Sequence, residues 1–301
     1  MTAVVALARD AGSLATRLRR SGLPALRLGP DPLAVALAGR ARAGELEDES
    51  AWLANALRRQ PASYVGALEQ VASLGANVLL APTRATTAHA LYASGQAYRA
   101  AALSGDAVDL AREVASRRAE PCWVLGDVTV SAANTAPSVA ELRLHAERLS
   151  NAGVDGVLVR VREDGRSFAL AGALAAQLEA LQLPFIVEVD ARAVAERGLA
   201  ELATAPASAF LVAGDADTVD RARSRLPENA PPMGLRLCVP DDAPSVASAI
   251  EQDWARWREH AADRFDADRT LETRRSNEAL VSVEARDPLA AFEAIVGCLG
   301  G

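Results

Sequence analysis

Cysteine, aromatic residues and long apolar runs are all scarce in this chain, and each scarcity removes a class of protein. Only Cys122, Cys238 and Cys298 carry thiols, far apart in 301 residues. An odd, dispersed set excludes a disulfide framework and suits a reducing compartment. Aromatic residues make up 4% of the sequence and interleave with no basic tract, so nucleic acid is not an expected partner. No stretch approaches the ~20 consecutive apolar residues of a membrane span. The apolar opening, MTAVVALARD, is too short and too poorly flanked for a secretion signal. No G-x-G-x-x-G turn follows an apolar run, which counts against a dinucleotide-binding sheet. Net charge is -7, from 39 acidic and 32 basic residues mixed along the chain. A soluble cytoplasmic protein is expected, with neither nucleic acid nor membrane as partner.

What is present is an alternation of short apolar runs with helical patterns. The segment Pro61–Leu91 shows the unit. Ala67, Leu68, Val71 and Leu74 form one apolar stripe of a helix, and Gly75 stands where a left-handed cap would end it. Asn77–Ala81 follows as a doubly buried strand, with its core at Val78–Ala81, and Thr83, Arg84, Thr86 and Thr87 crowd polar groups past its carboxyl end. The same reading places strands at Val4–Ala8, Cys122–Gly126, Gly156–Val161, Phe185–Val189, Ala209–Ala213, Gly234–Val239 and Ala279–Val283. Ser138, with Glu141 three residues on, is a capping box opening a helix that Gly153 closes. Eight strands in strict alternation at roughly 30–40-residue spacing predict an α/β fold, a single (β/α)8 TIM barrel over residues 1–301. Asp241–Asn277 is long and charged. It is expected as a helical insertion docked by Trp254 and Trp257, followed by a polar loop.

In order and spacing these features resemble the homocysteine S-methyltransferase family of (β/α)8 barrels over nearly the whole chain. The family's first-strand loop is matched by Ala11-Gly12-Ser13-Leu14-Ala15-Thr16. Its second unit is matched by Pro61, Val65, Leu68, Val71 and Leu74-Gly75-Ala76-Asn77, then Leu80 to Thr87. A later helix turn is matched by Glu141, Ala146, Leu149 and Ala152-Gly153-Val154-Asp155, and the final loop by Val281 to Pro288. The resemblance implies methyl transfer to a homocysteine thiol activated by zinc on three cysteine thiolates, since a free thiol is mostly protonated near pH 7. The implied ligand positions hold Val212-Ala213-Gly214-Asp215 after the sixth strand, and Val283 and Glu284 after the eighth. None is cysteine. The family's carboxylate for the substrate ammonium aligns with Arg160, a charge reversal that repels an ammonium. No metal and no cofactor are therefore expected.

Barrel strand ends converge on one mouth, which here would collect Asp10, Thr83, Arg84, Asp127, Arg160, Arg162, Glu188, Asp190, Asp215, Glu284 and Arg286. Three readings stay open. The charges neutralise one another across a closed mouth, as in a pseudoenzyme; or Arg84 or Arg160 forks a carboxylate or phosphate of a polar or zwitterionic metabolite; or Glu188 and Asp190 act in acid-base or hard-metal chemistry. His89, His145 and His260 fall in helical or charged segments and are assigned no role, His145 being expected at a helix surface or packed. The function expected is a small-molecule-binding or regulatory barrel, with a protein partner or a second copy as companion. The alternative is a methyltransferase acting on a different polar acceptor without zinc.

Overall fold

The Pro61–Ser73 stretch forms a helix for local reasons. Pro61 occupies its first turn, where a missing N–H costs nothing, and Tyr64, Ala67, Leu68, Val71 and Ala72 make one buried face. The Tyr64 hydroxyl donates to the Ala107 carbonyl at 3.1 Å, which satisfies the one polar atom that face buries. Gly75 ends the unit at φ +101°, and Gly153 ends its counterpart at φ +84°.

The structure is a computed structural model that describes residues 26–42, 49–131, 137–161, 165–192, 194, 207, 209–223, 233–238, 245–263, 280–284 and 287–300. In chain order the elements are β1 (Leu26–Arg27), α1 (Pro32–Arg42), α2 (Glu49–Arg59), α3 (Pro61–Ser73) and β2 (Val78–Ala81). Single helical turns at Thr83–Thr86 and Ala97–Arg99 lead to α4 (Ala100–Ser116) and β3 (Trp123–Val130). Then come α5 (Val139–Asn151), β4 (Gly156–Val161), α6 (Gly165–Ala180), β5 (Phe185–Asp190) and β6 (Ala209–Gly214). The chain continues with α7 (Ala216–Arg223), β7 (Met233–Cys238), α8 (Val246–Asp263), β8 (Leu280–Glu284) and α9 (Pro288–Gly300).

Every strand pairing is parallel, in the order β1-β8-β7-β6-β5-β4-β3-β2, and a bridge from Leu28 to Val78 brings the end of β1 back beside β2. This is an α/β fold with a curled parallel sheet, consistent with a TIM-like barrel. Two apolar clusters follow from strand alternation. Leu26, Leu28, Val78, Leu80, Trp123, Leu125, Leu158, Ile186, Ala209 and Leu211 fill the inside of the curl. Their neighbours Leu79, Val124, Val157, Val187, Phe210 and Leu235 face outward and pack with helix residues such as Leu68, Val108, Leu149 and Phe292.

At the amino ends of the strands, side chains suture neighbouring segments. Asn77 Oδ1 accepts the Arg27 N–H at 2.8 Å, and Asp155 Oδ2 accepts the Val124 N–H at 2.7 Å. Gly29 is glycine because its backbone passes so close to α3 that a Cβ there would lie 2.2 Å from Val71 Cγ1.

Several expectations need correction. The Val4–Ala8 run lies outside the described residues; among those, Leu26–Arg27 is the strand that pairs with β8, and Leu28 bridges to β2. β3 runs to Val130 rather than stopping at Gly126, so Asp127 lies inside a strand and not past its end. The β-branched run Val128-Thr129-Val130 sustains the extended backbone. Of the two readings of His145, the packed one holds: it lies on the buried face of α5 and is 2% exposed. The Ser138–Glu141 capping box is present: the Ser138 N–H donates to Glu141 Oε2 at 2.8 Å, and the Glu141 N–H to Ser138 Oγ at 3.3 Å. Within 241–277 the described part is α8, which buries Trp254. Among the described residues, no helix is long and apolar enough to cross a membrane.

Candidate functional site

Side chains two apart on a strand share a face, so the interior cluster points to the next residue toward the carboxyl end of each strand. Leu125 leads to Asp127, Leu158 to Arg160, and Ile186 to Glu188. Leu211 leads to Ala213, whose register partner on β7 is Arg236. An apolar interior is thus topped by a layer of charge at the carboxyl ends of the strands.

These charges form one alternating chain. Arg84 Nη1 donates to Asp31 Oδ2 and, at 2.9 Å, to Asp127 Oδ2. Arg160 Nε donates to both Asp127 oxygens, at 3.0 and 3.2 Å, and its Nη1 to Glu188 Oε1 at 3.3 Å. Arg236 Nη2 lies 3.0 Å from Glu188 Oε2, an ion pair without hydrogen-bond alignment. The sequence Asp31, Arg84, Asp127, Arg160, Glu188, Arg236 runs minus, plus, minus, plus, minus, plus, three of each sign, and every member is at least largely buried.

The electrostatics follow from that order. Burial alone would raise the Asp127 carboxyl, but the Arg160 and Arg84 guanidiniums outweigh it and hold the group below its ordinary 3.8. Burial works against the Arg160 charge too, and Asp127 and Glu188 more than restore it, so Arg160 is bound more firmly to its proton than a free arginine. Asp127 therefore stays ionised near neutral pH and is a poor base. Behind this layer, Thr83 is buried and faces main chain: its hydroxyl donates to the Asp127 carbonyl at 2.9 Å and accepts the Asp127 N–H at 2.8 Å. It clamps β2 to β3 and is a positioning residue.

Of the residues expected at the mouth, Arg84, Asp127, Arg160 and Glu188 come together. Asp190 Oδ1 accepts the Arg192 N–H at 2.7 Å, which caps the following turn. Asp215 accepts from the Thr218 N–H and hydroxyl at 2.8–2.9 Å and caps α7, and those bonds hold its carboxyl below 3.8 despite the burial that opposes them. Glu284 ends β8 beside Cys238 in register. Asp10, Arg162 and Arg286 lie outside the described residues. Sequence reasoning missed Asp31 and Arg236, which belong to the same chain.

The residues at the positions that the resemblance implies for zinc carry no thiol. Gly214 offers no donor, Asp215 is turned to its own helix, and Cys238 is the one described thiol at this end of the strands. Cys122 stands before β3 at the opposite end, its thiol pushed up to about 11 by burial, with Asp155 adding to the rise and Arg118 opposing it. No three His, Cys, Asp or Glu side chains converge among the described residues. All 32 basic residues are arginine. With no lysine anywhere, Schiff-base chemistry on a lysine amine is excluded.

Neither a sequence-family model nor any curated protein matches the chain. Solved structures do. The oxidized form of the homocysteine methyltransferase MmuM from Escherichia coli aligns at 18% identity, over 92% of this chain and 97% of that one, with a TM-score of 0.67. The metallated form aligns at 19% identity, over 91% and 97%, with a TM-score of 0.63. What is shared is the fold. Identity this low carries no residue role across, so what the mouth does has to come from its own side chains.

Proposed function

We propose that this chain is a single closed (β/α)8 barrel built like the homocysteine methyltransferases, without their zinc-thiolate site, which binds a small polar or zwitterionic metabolite in a regulatory or partner role. The observation that carries the reading is the chain of alternating ion pairs from Asp31 to Arg236 across the carboxyl ends of the strands. Three guanidiniums at one mouth suit a ligand with an anionic group, and they repel the ammonium-first pose of an amino-acid thiol. No thiolate set supports activation of such a thiol.

A second reading keeps an enzyme: a methyltransferase acting on a different polar acceptor without zinc, favoured by the shared fold over nearly the whole chain. Two measurements separate the readings. Metal analysis of purified protein should find no stoichiometric zinc, and a panel of sulfonium and methylfolate donors with thiol acceptors should show no turnover. Stoichiometric zinc defeats both readings. Turnover lost in Glu188→Gln or Arg160→Ala establishes the second. Ligand-dependent shifts in melting temperature without turnover support the first.

A further inference from the structure

Two carboxylates inside the ion-pair chain are held very differently. Asp127 is fully buried and takes three aligned hydrogen bonds of 2.9 to 3.2 Å. Glu188 takes one long bond, 3.3 Å from Arg160, and one unaligned contact, 3.0 Å from Arg236. It is also 9% exposed where Asp127 is closed off completely. One oxygen faces each guanidinium, which is how a planar carboxylate bridges two arginines, but the fit is loose. Glu188 also has a longer side chain than Asp127, with rotamers to move through.

We propose that Arg160 and Arg236 form a two-guanidinium seat for the carboxylate of a small metabolite, and that Glu188 fills the seat as an internal stand-in until the metabolite displaces it. This rests on the small-molecule reading above and names the ligand's anchoring group. The exchange keeps the seat balanced, one carboxylate leaving for water as another enters. Asp127 stays in place and holds Arg160 by its Nε edge, so the Nη1 edge remains presented to the ligand. A phosphate carries more negative charge than the Glu188 carboxylate it would replace, so it leaves the seat unbalanced.

The test uses sodium formate, with sodium chloride and sodium phosphate at equal ionic strength, on the wild type, Glu188→Ala and Glu188→Gln, read by thermal unfolding. In Glu188→Ala the seat is vacated, and formate at ten times its dissociation constant should raise the melting temperature by about 2 °C. Chloride should give no rise and phosphate a smaller one, and adding Arg236→Gln should abolish the formate response. In the wild type the response should persist at higher formate, weakened by the fraction of molecules in which Glu188 has swung clear. Glu188→Gln preserves the side-chain volume, so the test survives if the alanine variant does not fold. A wild type indifferent to formate at concentrations that saturate the variants overturns the proposal, because Glu188 is then a permanent member of the chain. Equal shifts with chloride overturn it as well. Neither result bears on zinc content or methyl transfer, so the broader reading stands or falls separately.

Discussion

Replacing Asp127 by asparagine removes one negative charge from the middle of the buried chain and leaves the shape almost unchanged. Arg84 and Arg160 then face an amide in place of a carboxylate, and the chain carries one negative charge fewer. Breaking a buried pair by removing one partner costs about 3–5 kcal/mol, because the remaining charge is left uncompensated. In a chain of this size that corresponds to a fall in melting temperature of about 5–8 °C. The comparison is Arg117→Ala. Arg117 pairs with Glu69 at 2.7 Å and also with Glu113, yet all three are about half exposed, so its loss should stay within about 0.5 kcal/mol.

Equilibrium urea unfolding of both variants measures the difference directly. A double-mutant cycle of Asp127→Asn with Arg84→Gln should return a coupling of about 0.5–3 kcal/mol. The pH dependence has a definite sign. The folded Asp127 carboxyl lies below its unfolded value, so its stabilisation is present above about pH 4 and lost as pH falls through the depressed value. The deficit of the asparagine variant should therefore stay level between about pH 5 and 8 and shrink only below about pH 4. A cost under about 1 kcal/mol, or no larger than that of Arg117→Ala, refutes the claim that the chain is coupled through a dry interior.

His145 is pushed down from 6.5 to about 4, chiefly by burial, with Arg148 adding to the fall and the Thr83 main chain and Asp127 opposing it. The unfolded chain takes the proton first, so stability is complete above about pH 6.5 and about 2 kcal/mol is gone by pH 5; urea midpoints at pH 7 and 5 should show that slope flattened in His145→Leu, and an unchanged slope counts against it. Ser138→Ala removes the side chain that accepts the Glu141 N–H at 3.3 Å and should cost about 1 kcal/mol in urea unfolding, with Ser138→Asp close to neutral. Gly29→Ala places a methyl 2.2 Å from Val71 Cγ1 and should cost about 1–3 kcal/mol, part of it recovered by adding Val71→Ala; no recovery would place the strain elsewhere.

Strands β2 to β8 were legible because each is a short apolar run between turn residues, and burial on both faces imposes that pattern on a parallel sheet. β1 was not. It has two residues, one of them Arg27, whose Nε donates to the Gly75 carbonyl at 2.6 Å and so stays at the rim. A two-residue strand with a charged member offers no periodicity, whereas Val4–Ala8 reads as a strand on composition alone. Asp31, three residues past Leu28, was missed with β1.

Arg236 was missed for a different reason. Attention to strand ends overlooks a charge set inside an apolar run, yet Leu235 and Leu237 on either side of it are both packed against the outer helices. Period-2 alternation then puts Arg236 on the interior face, where a lone guanidinium needs a partner from another strand. The same rule applied to Gly126-Asp127-Val128 and Val159-Arg160-Val161 finds Asp127 and Arg160 as interior charges before any strand end is assigned. Charges that alternate in sign from β3 to β4 to β5 satisfy one another across the curl, and nothing apolar could replace one member without stranding its neighbours. The mouth is therefore better read as a single six-residue unit than as separate candidates, and a ligand that enters it must either substitute for a member or break the alternation.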